Sequence, residues 1–391
     1  MTAATRPDAA RADRPATRPD ADRADRPATR PDAGRADRPA TRPDAGRPSR
    51  PAHRTWRTRG GLASWRWHPR AAVVATTLVV LLVPVGVATM TTGTYPVHVG
   101  DVLAALGGDA TTPVERVLLG IRLPRFVAGV VVGAALGIAG AVFQTISRNP
   151  LGSPDVIGFT TGAATGAIIA ITAFAAPAPV VAGAAVVGGL VTALATTLLA
   201  TRRRSFGGYR LVLVGIGVGA LLNAVNDLLL TRSQRDDAIG AQTWLVGTLN
   251  ARGWDEVLPT GAAVAVLVPV LLTAGTRLRA LELGDDMARQ TGVAVDRVRL
   301  GTIAVAVALV AFATATAGPI AFVALAAPQL ALRLTRGGSL PLFGSAALGA
   351  LLLTTADLGS QWLPLDLSAP VGLVTGVLGG AYLLWLLTRG R

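Results

Sequence analysis

The 391-residue chain contains no cysteine, and its 37 basic Lys and Arg positions are all arginine. The absence of cysteine excludes disulfide bonds, thiolate metal sites and cysteine nucleophiles. The absence of lysine excludes a P-loop nucleotide site, because that loop needs its lysine on the nucleotide phosphates. The chain is therefore not expected to hydrolyse ATP itself.

Histidine is also scarce, with three residues in the whole chain, His53, His68 and His98. None has a ligand-like partner nearby in the sequence, which favours solvated or interfacial histidines over a metal site. We predict no metal site, no cofactor and no catalytic residue. The chain is accordingly not expected to be an enzyme.

Long apolar runs dominate the chain from residue 71 onward. Hydrophobic residues make up 51% of the sequence, which also contains 45 glycines. This composition is typical of integral membrane proteins, in which a run of about 20 apolar residues crosses the bilayer as a helix. We predict an all-α, polytopic transmembrane helix bundle over residues 71–391. It has about ten spans, near 71–90, 126–146, 159–176, 178–200, 211–230, 257–275, 300–317, 320–334, 342–357 and 370–387.

Arginine is unevenly distributed between alternate loops, and cytoplasmic loops are the ones enriched in basic residues. With the amino terminus inside, the inside segments after residue 70 carry 14 arginines and the outside segments carry six. An even number of spans with both termini in the cytoplasm fits this distribution. The chain is therefore expected to be a multi-pass protein of the cell membrane.

Residues 5–52 are four copies of a twelve-residue unit, T-R-P-D-A-x-R-A-D-R-P-A, the last of them altered. Regular proline, alternating charge and few large apolar side chains prevent such a segment from burying a core, so residues 1–70 are predicted to be a disordered tail. The tail carries 17 Arg and 8 Asp, a net charge of +9. We interpret it as a cytoplasmic extension attracted weakly to anionic lipid headgroups, in preference to a nucleic-acid-binding arm.

Residues 122–158 are the stretch around which we expect the bundle to be organised. An uncharged apolar run lies between R-L-P-R at residues 122–125 and R-N-P-L at residues 148–151. Glycines recur in this run at spacings of four, four and three, which places them along one helical face where a neighbouring backbone can approach closely. The sequence thus predicts a buried packing face formed by Gly129, Gly133, Gly137 and Gly140.

These motifs resemble those of a known family. R-L-P-R, a glycine-rich helix and R-N-P-L-x-x-P-x-x-x-G are similar to the permease subunits of binding-protein-dependent ABC importers for iron-siderophores, haem and cobalamin. G-P-I-x-F-V at residues 318–323, A-P-Q at 327–329, A-D at 356–357 and P-x-G at 370–372 extend the resemblance. Gln329 stands where the family usually has His, so a protonation role is lost and a neutral hydrogen-bonding group remains. Gln361 stands where Arg is common, and if that Arg helps to dock the binding protein in the family, the resemblance implies a weaker or differently arranged contact here.

The resemblance assigns a docking role to Arg122 and Arg125, which lie outside in the predicted topology. In the family, arginines of this motif contact acidic residues on the two lobes of the substrate-binding protein. A guanidinium group offers a fixed fork of donors for such carboxylates. Snorkelling of both side chains to the membrane interface is the alternative.

Residues 281–299 are the longest polar insertion in the membrane domain and lie inside. Two glycines bracket a short helix with acidic residues at its amino end, where the helix dipole favours them. Such a short helix is marginal in water and is expected to rest on another surface. The part from 283 to 292 resembles the family's coupling segment, which inserts into the ATPase subunit. The implied coupling residues are Leu283, Gly284, Asp285, Asp286, Ala288, Arg289 and Gly292. An ordinary amphipathic loop is the alternative.

Two further regions correspond to functional parts of the family by their position. The turn between the fourth and fifth spans corresponds to the cytoplasmic gate, and a plain headgroup anchor is an equal alternative. The gate positions are Ser205, Phe206, Gly207 and Gly208. Polar groups at the depth of the fifth span should face protein or water, and the resemblance implies that this helix lines the translocation pathway. Solvation of Asp227 at the membrane interface is an equal alternative. The pathway positions are Gly215, Gly219, Asn223 and Asn226.

The resemblance implies a permease subunit that pairs with a second copy, or a close paralogue, around a central pathway. Two ATPase subunits would bind inside and a substrate-binding protein outside, and their movements would switch the helices between outward and inward access. Membrane lipid is the remaining partner, and no nucleic acid is expected. A ferric siderophore is the implied cargo, with haem and cobalamin as alternatives.

Two rival functions belong to other classes. A secondary transporter driven by an ion gradient would need ionisable groups or broken helices at mid-membrane depth. Asp227 and Asp357, near the ends of their spans, are the few candidates for such groups. The other rival is a membrane anchor whose repeat tail is the active part.

Overall fold

The computed structural model describes residues 54–57, 64–67, 69–108, 111–202, 205–206, 208–337, 341–362 and 369–389. Helices account for most of these residues. They are α1 (Pro69–Thr91), α2 (Val99–Gly107), α3 (Thr112–Val117), α4 (Leu123–Ser147), α5 (Phe159–Phe174), α6 (Ala178–Ala200), α7 (Gly208–Arg232), α8 (Arg235–Leu245), α9 (Trp254–Glu282), α10 (Asp285–Gln290), α11 (Val295–Ala317), α12 (Val323–Thr335), α13 (Leu342–Trp362) and α14 (Val371–Arg389). A π-helical turn, Leu118–Arg122, joins α3 to α4.

Each predicted span coincides with one of these helices. Within the described ranges, 7 helices are long and apolar enough to cross a membrane, and α5, α12 and most of α14 are shorter apolar helices. The predicted polytopic helix bundle is therefore confirmed. The cytoplasmic position of both termini stays a prediction.

Two antiparallel hairpins complete the described structure. Strand β1 (Arg54–Arg57) pairs with β2 (Ser64–Trp67), and β3 (Thr201–Arg202) pairs with β4 (Ser205–Phe206). The first hairpin lies within the tail that was predicted to be disordered, and its register places Trp56 opposite Trp65. Tryptophan favours strands and is absent from the repeats, which gives the hairpin residues a local preference that the repeats lack. The repeats at 5–52 lie outside the described residues.

Helix α4 occupies the interior of the bundle and packs against α9, α11, α12 and α13. The predicted glycine face is confirmed. A Cβ atom on Gly133 would collide with the carbonyl of Gly349 in α13, and one on Gly140 would collide with the carbonyl of Ala324 in α12. The helix backbones therefore touch directly, which a larger residue at either glycine would prevent.

Helix α5 is short because the chain enters the bundle before the helix begins. The α4–α5 link (residues 148–158) ends at Gly158, whose φ of 84° lies in the left-handed region. A Cβ there would stand 3.1 Å from the backbone of Gly219, well inside α7. The first turn of α5 therefore starts part-way along α7 rather than at its end.

Helix α12 also begins within the bundle, after a tight turn at Phe322. This residue has a φ of 68°, and the N–H of Val323 donates to the carbonyl of Ala321 at 2.9 Å. That hydrogen bond across a single residue with positive φ defines a strained γ-turn. The Phe322 ring packs over Gly379 of α14, where no Cβ would fit. Packing from α14 thus holds the turn in place.

Replacing Gly133 by alanine tests the contact between α4 and α13. We expect Gly133→Ala to lower the free energy of unfolding by about 1–3 kcal/mol, because the new methyl group overpacks the interface. The measurement is the thermal unfolding midpoint of the purified protein in detergent. Gly261→Ala in α9 is the matched control, since nothing lies within 4 Å of its Cβ position. There alanine should be neutral or stabilising through its better helix propensity, and an equal response of both variants would contradict the packing role.

Candidate functional site

Arg122 is enclosed at the end of the π-helical turn and has internal partners. Its guanidinium group donates to the carbonyl oxygens of Met90 at 2.5 Å and Tyr95 at 2.6 Å, and 8% of the residue is exposed. The left-handed Gly93 lies against the same group. Arg122 thereby fastens the end of α1 to the start of α4. This internal role could not be read from the motif.

Arg125 forms an ion pair with Asp357 of α13. Its Nε and Nη2 atoms donate to the two carboxylate oxygens at 2.8 Å each, a bidentate arrangement. The Arg125 side chain is 20% exposed, and that of Asp357 is 4% exposed. Gln361 donates to the same carboxylate at 3.1 Å. The glutamine that replaces the usual arginine therefore contacts the partner of Arg125, and docking by either arginine stays a prediction.

Two glutamines meet in the interior of the bundle. Gln144 of α4 donates to the carbonyl of Leu325 at 3.0 Å, and Gln329 of α12 donates to the side-chain oxygen of Gln144 at 2.7 Å. The neutral hydrogen-bonding group at Gln329 therefore has a partner within the bundle. This amide pair satisfies the polar groups that α12 brings inside, where an unpaired one would be costly.

Asp155 is a polar group that the sequence analysis did not single out. The hydroxyl of Thr160 donates to its carboxylate at 2.6 Å, and the backbone N–H of Phe322 donates to it as well. One carboxylate therefore joins the α4–α5 link to the strained turn before α12. The signal was present as P-D-x-x-G after R-N-P-L, but its partner at residue 322 is far away in the sequence.

The coupling segment forms a short helix, α10, as predicted. Gly284 has a φ of 107° before it and Gly292 a φ of 80° after it, conformations that glycine adopts without strain. Ala288 faces the bundle and is 1% exposed. Met287 in α10 and Leu283, which precedes Gly284 and the helix, are 52% and 71% exposed. The exposed apolar pair, rather than Ala288, is thus available to a partner.

The first residue of α10 is tied to two arginines. Asp285 lies 2.7 Å from Arg299 of α11 and 3.8 Å from Arg148, which follows α4. The remaining charged pair of the helix, Arg289 with Asp286 at 3.3 Å, lies on the surface. Arg299 was missed in the sequence because nothing in its local pattern distinguishes a buried arginine from an exposed one.

Helix α7 has one packed face and one open face. Gly215 contacts the carbonyl of Ile157, and Gly219 lies against Gly158, so both predicted pathway glycines pack against the chain's own α4–α5 link. Asn226 is also buried. The exposed residues of α7 include Ile216, Ala220, Asn223 and Asp227, at spacings of four, three and four, and also the apolar Leu213, Leu221 and Leu228.

The predicted gate forms the β3–β4 hairpin and the start of α7. Ser205 and Phe206 make up β4, and Gly208 is the first residue of α7. Gly207 lies outside the described residues. The hairpin reverses the chain between α6 and α7, and its role as a gate stays a prediction.

The chain matches a family model and several characterised proteins. The model of the FecCD transport family matches residues 78–389. The ferric enterobactin transport system permease protein FepG of Escherichia coli K12 is 42% identical over 320 residues, which are 82% of this chain and 97% of FepG. The cobalamin import system permease protein BtuC of Halobacterium salinarum is 37% identical over 81% of this chain and 88% of BtuC.

A solved structure shares the architecture. It shows an inward-facing conformation of a transporter assigned to the metal-chelate type of ABC transporters. The similarity has a TM-score of 0.74 at 26% sequence identity and covers 81% of this chain and 99% of that chain. The region matched by the FecCD family model begins within α1 and reaches α14, so it includes every site described above.

The ion pair between Arg125 and Asp357 gives a testable asymmetry. Arg125→Met leaves the buried carboxylate without its counter-ion, and we expect the free energy of unfolding to fall by about 3 kcal/mol. Adding Asp357→Leu removes the carboxylate too and should recover most of that loss. Thermal unfolding of both variants in detergent measures the difference. A double variant no more stable than Arg125→Met would show that the pair does not act as a unit.

Proposed function

The chain belongs to the FecCD transport family and is the permease subunit of an ABC importer, and we propose that it carries a ferric siderophore into the cytoplasm. It is a multi-pass membrane protein that transports and does not catalyse a reaction. The observation that carries the choice of cargo is its 42% identity to FepG, a ferric enterobactin permease, across 97% of that protein. The cobalamin permease BtuC is less similar, at 37%.

Permeases of this family work with ATPase and binding-protein partners. We propose a complex of two permease copies, two ATPase subunits and one binding protein. The exposed face of α7 supports the pairing of permeases, because Asn223 and Asp227 would otherwise face lipid. A second copy packed near this face would enclose a pathway that the polar groups line.

The surface of α10 supports the ATPase contact. Ala288 anchors the helix in the bundle, while Leu283 and Met287 point away from it. Met287 on an otherwise charged helix, with Leu283 exposed just before that helix, offers an apolar surface that suits a groove in a partner protein. We propose that these two side chains enter the ATPase subunit and that the charged residues around them set the orientation.

The two arginines of the R-L-P-R motif support docking of the binding protein in a form different from the predicted one. Arg125 is the accessible member of the pair, while Arg122 holds α1 against α4. We propose that an acidic residue of the binding protein approaches Arg125 and shares its guanidinium group with Asp357. The two carboxylates would compete for one fork of donors, which is a means of coupling docking to the α4–α13 contact.

Uptake by the reconstituted importer tests the cargo. Proteoliposomes that contain the permease, its ATPase and its binding protein should accumulate a labelled ferric catecholate siderophore when ATP is present. An excess of unlabelled siderophore should abolish uptake, whereas cyanocobalamin and haemin should leave it unchanged. Competition by either of these would redirect the cargo within the family. Uptake driven by an ion gradient without ATP would overturn the importer mechanism.

Met287→Arg tests the ATPase contact. We expect the amount of ATPase that co-purifies with the permease to fall about tenfold or more, because a central apolar contact of an interface carries much of its binding energy. Met287→Leu keeps the apolar surface and is the matched control, which should retain the ATPase. Both variants should unfold at the wild-type temperature, since Met287 is half exposed. Retention of the ATPase by Met287→Arg would show that α10 is not part of the interface.

A further inference from the structure

Arg299 is a buried charge at the base of α11. It is the largest fully buried side chain in the described part of the chain, with 1% of the residue exposed. Burying a guanidinium group is costly unless an anion compensates it closely. Its Nη2 atom accordingly donates to Oδ1 of Asp285 at 2.7 Å. A strong interaction therefore links α11 to the first residue of α10.

The same carboxylate oxygen also faces the end of α4. Oδ1 of Asp285 lies 3.8 Å from Nη2 of Arg148, whose backbone ends α4 in the left-handed conformation. The Arg148 side chain also lies beside Gly284, where a Cβ would stand 3.4 Å from it. Asp285 thus lies between Arg148, the residue that follows α4, and Arg299, near the start of α11.

A second polar contact joins the same region. The hydroxyl of Thr145, near the end of α4, lies 3.3 Å from the carboxylate of Glu282, the last residue of α9. The segment that carries α10 is therefore held to α4 on both sides of Gly284. A displacement of α10 would draw the Asp285 carboxylate away from the buried Arg299 of α11 and from the half-exposed Arg148 at the end of α4.

From this geometry we propose that Asp285 is the positioning residue through which movement of α10 reaches the interior helices α4 and α11. Arg299 is its buried partner and Arg148 its exposed one. Helix α10 is also attached to the bundle through Ala288, which is buried in the apolar core. The ion pairs of Asp285 add charged, directional contacts to this apolar one. The inference rests on the proposed function, in which α10 receives the movement of the ATPase.

Uncoupling is the signature that separates this role from a merely structural one. The assay uses proteoliposomes that contain the permease, the ATPase and the binding protein. With Asp285→Asn, ATP hydrolysis by the complex should stay within about twofold of the wild-type rate, while uptake should fall about tenfold. A tenfold effect lies within the usual range of coupling energies between two sites. The ATP consumed per cargo molecule would rise accordingly. Asp296→Asn, an exposed carboxyl in the first turn of α11, is the matched control and should change neither rate.

Two further variants keep the proposal open to refutation if Asp285→Asn does not fold. The double variant Asp285→Asn with Arg299→Gln removes both charges and should fold, yet remain uncoupled. Asp285→Glu restores the anion and should recover part of the uptake. A double variant with the wild-type ratio of ATP to cargo would overturn the proposal, as would a proportional fall of hydrolysis and uptake in Asp285→Asn. Failure of the wild-type permease to bind an ATPase would instead refute the proposed function.

Discussion

Direct contact between helix backbones is the interaction on which the rest of the bundle depends. In a bilayer the helices gain no hydrophobic free energy by associating, since lipid tails are as apolar as leucine, and close packing must hold them. Gly133 and Gly140 of α4 meet α13 and α12 in this way, backbone against backbone. Once α4 is fixed, polar contacts can be placed along it. These are the Arg125 ion pair near its first residue, the Gln144 amide pair, and the Arg148 contact just after its last residue.

The polar groups of the bundle are used to connect helices. Asp155 joins the start of α5 to the turn before α12, Gln144 joins α4 to α12, and Asp285 joins α10 to α11. The first two connections link segments far apart in the chain, the third joins consecutive helices, and each satisfies a group that is costly to bury alone. A transporter that alternates between two packings needs such discrete contacts, because interfaces of this kind switch rather than deform gradually.

The sequence predicts the spans well because apolar runs and the spacing of glycine are local signals. It also predicts α10, whose glycines and acidic residues mark its ends. It does not predict which way α10 faces. Ala288 and Met287 are both apolar, and nothing in the sequence shows that Ala288 is buried while Met287 is exposed. Nor does it predict the partner of Arg125, which lies 232 residues away, or that of Arg122. Motifs identify which residues matter, whereas tertiary packing decides whether they bind a partner or their own chain.

The contact between α4 and α13 has a thermodynamic consequence. Glycine has no side-chain rotamers, so bringing Gly133 against Gly349 freezes no side-chain torsion on either helix. An interface of leucines would lose rotamer freedom at every contact, and that loss grows with temperature. The Gly133–Gly349 contact avoids this side-chain entropic cost. Heating therefore does not weaken that contact through rotamer freedom, as it would weaken a contact between two leucines.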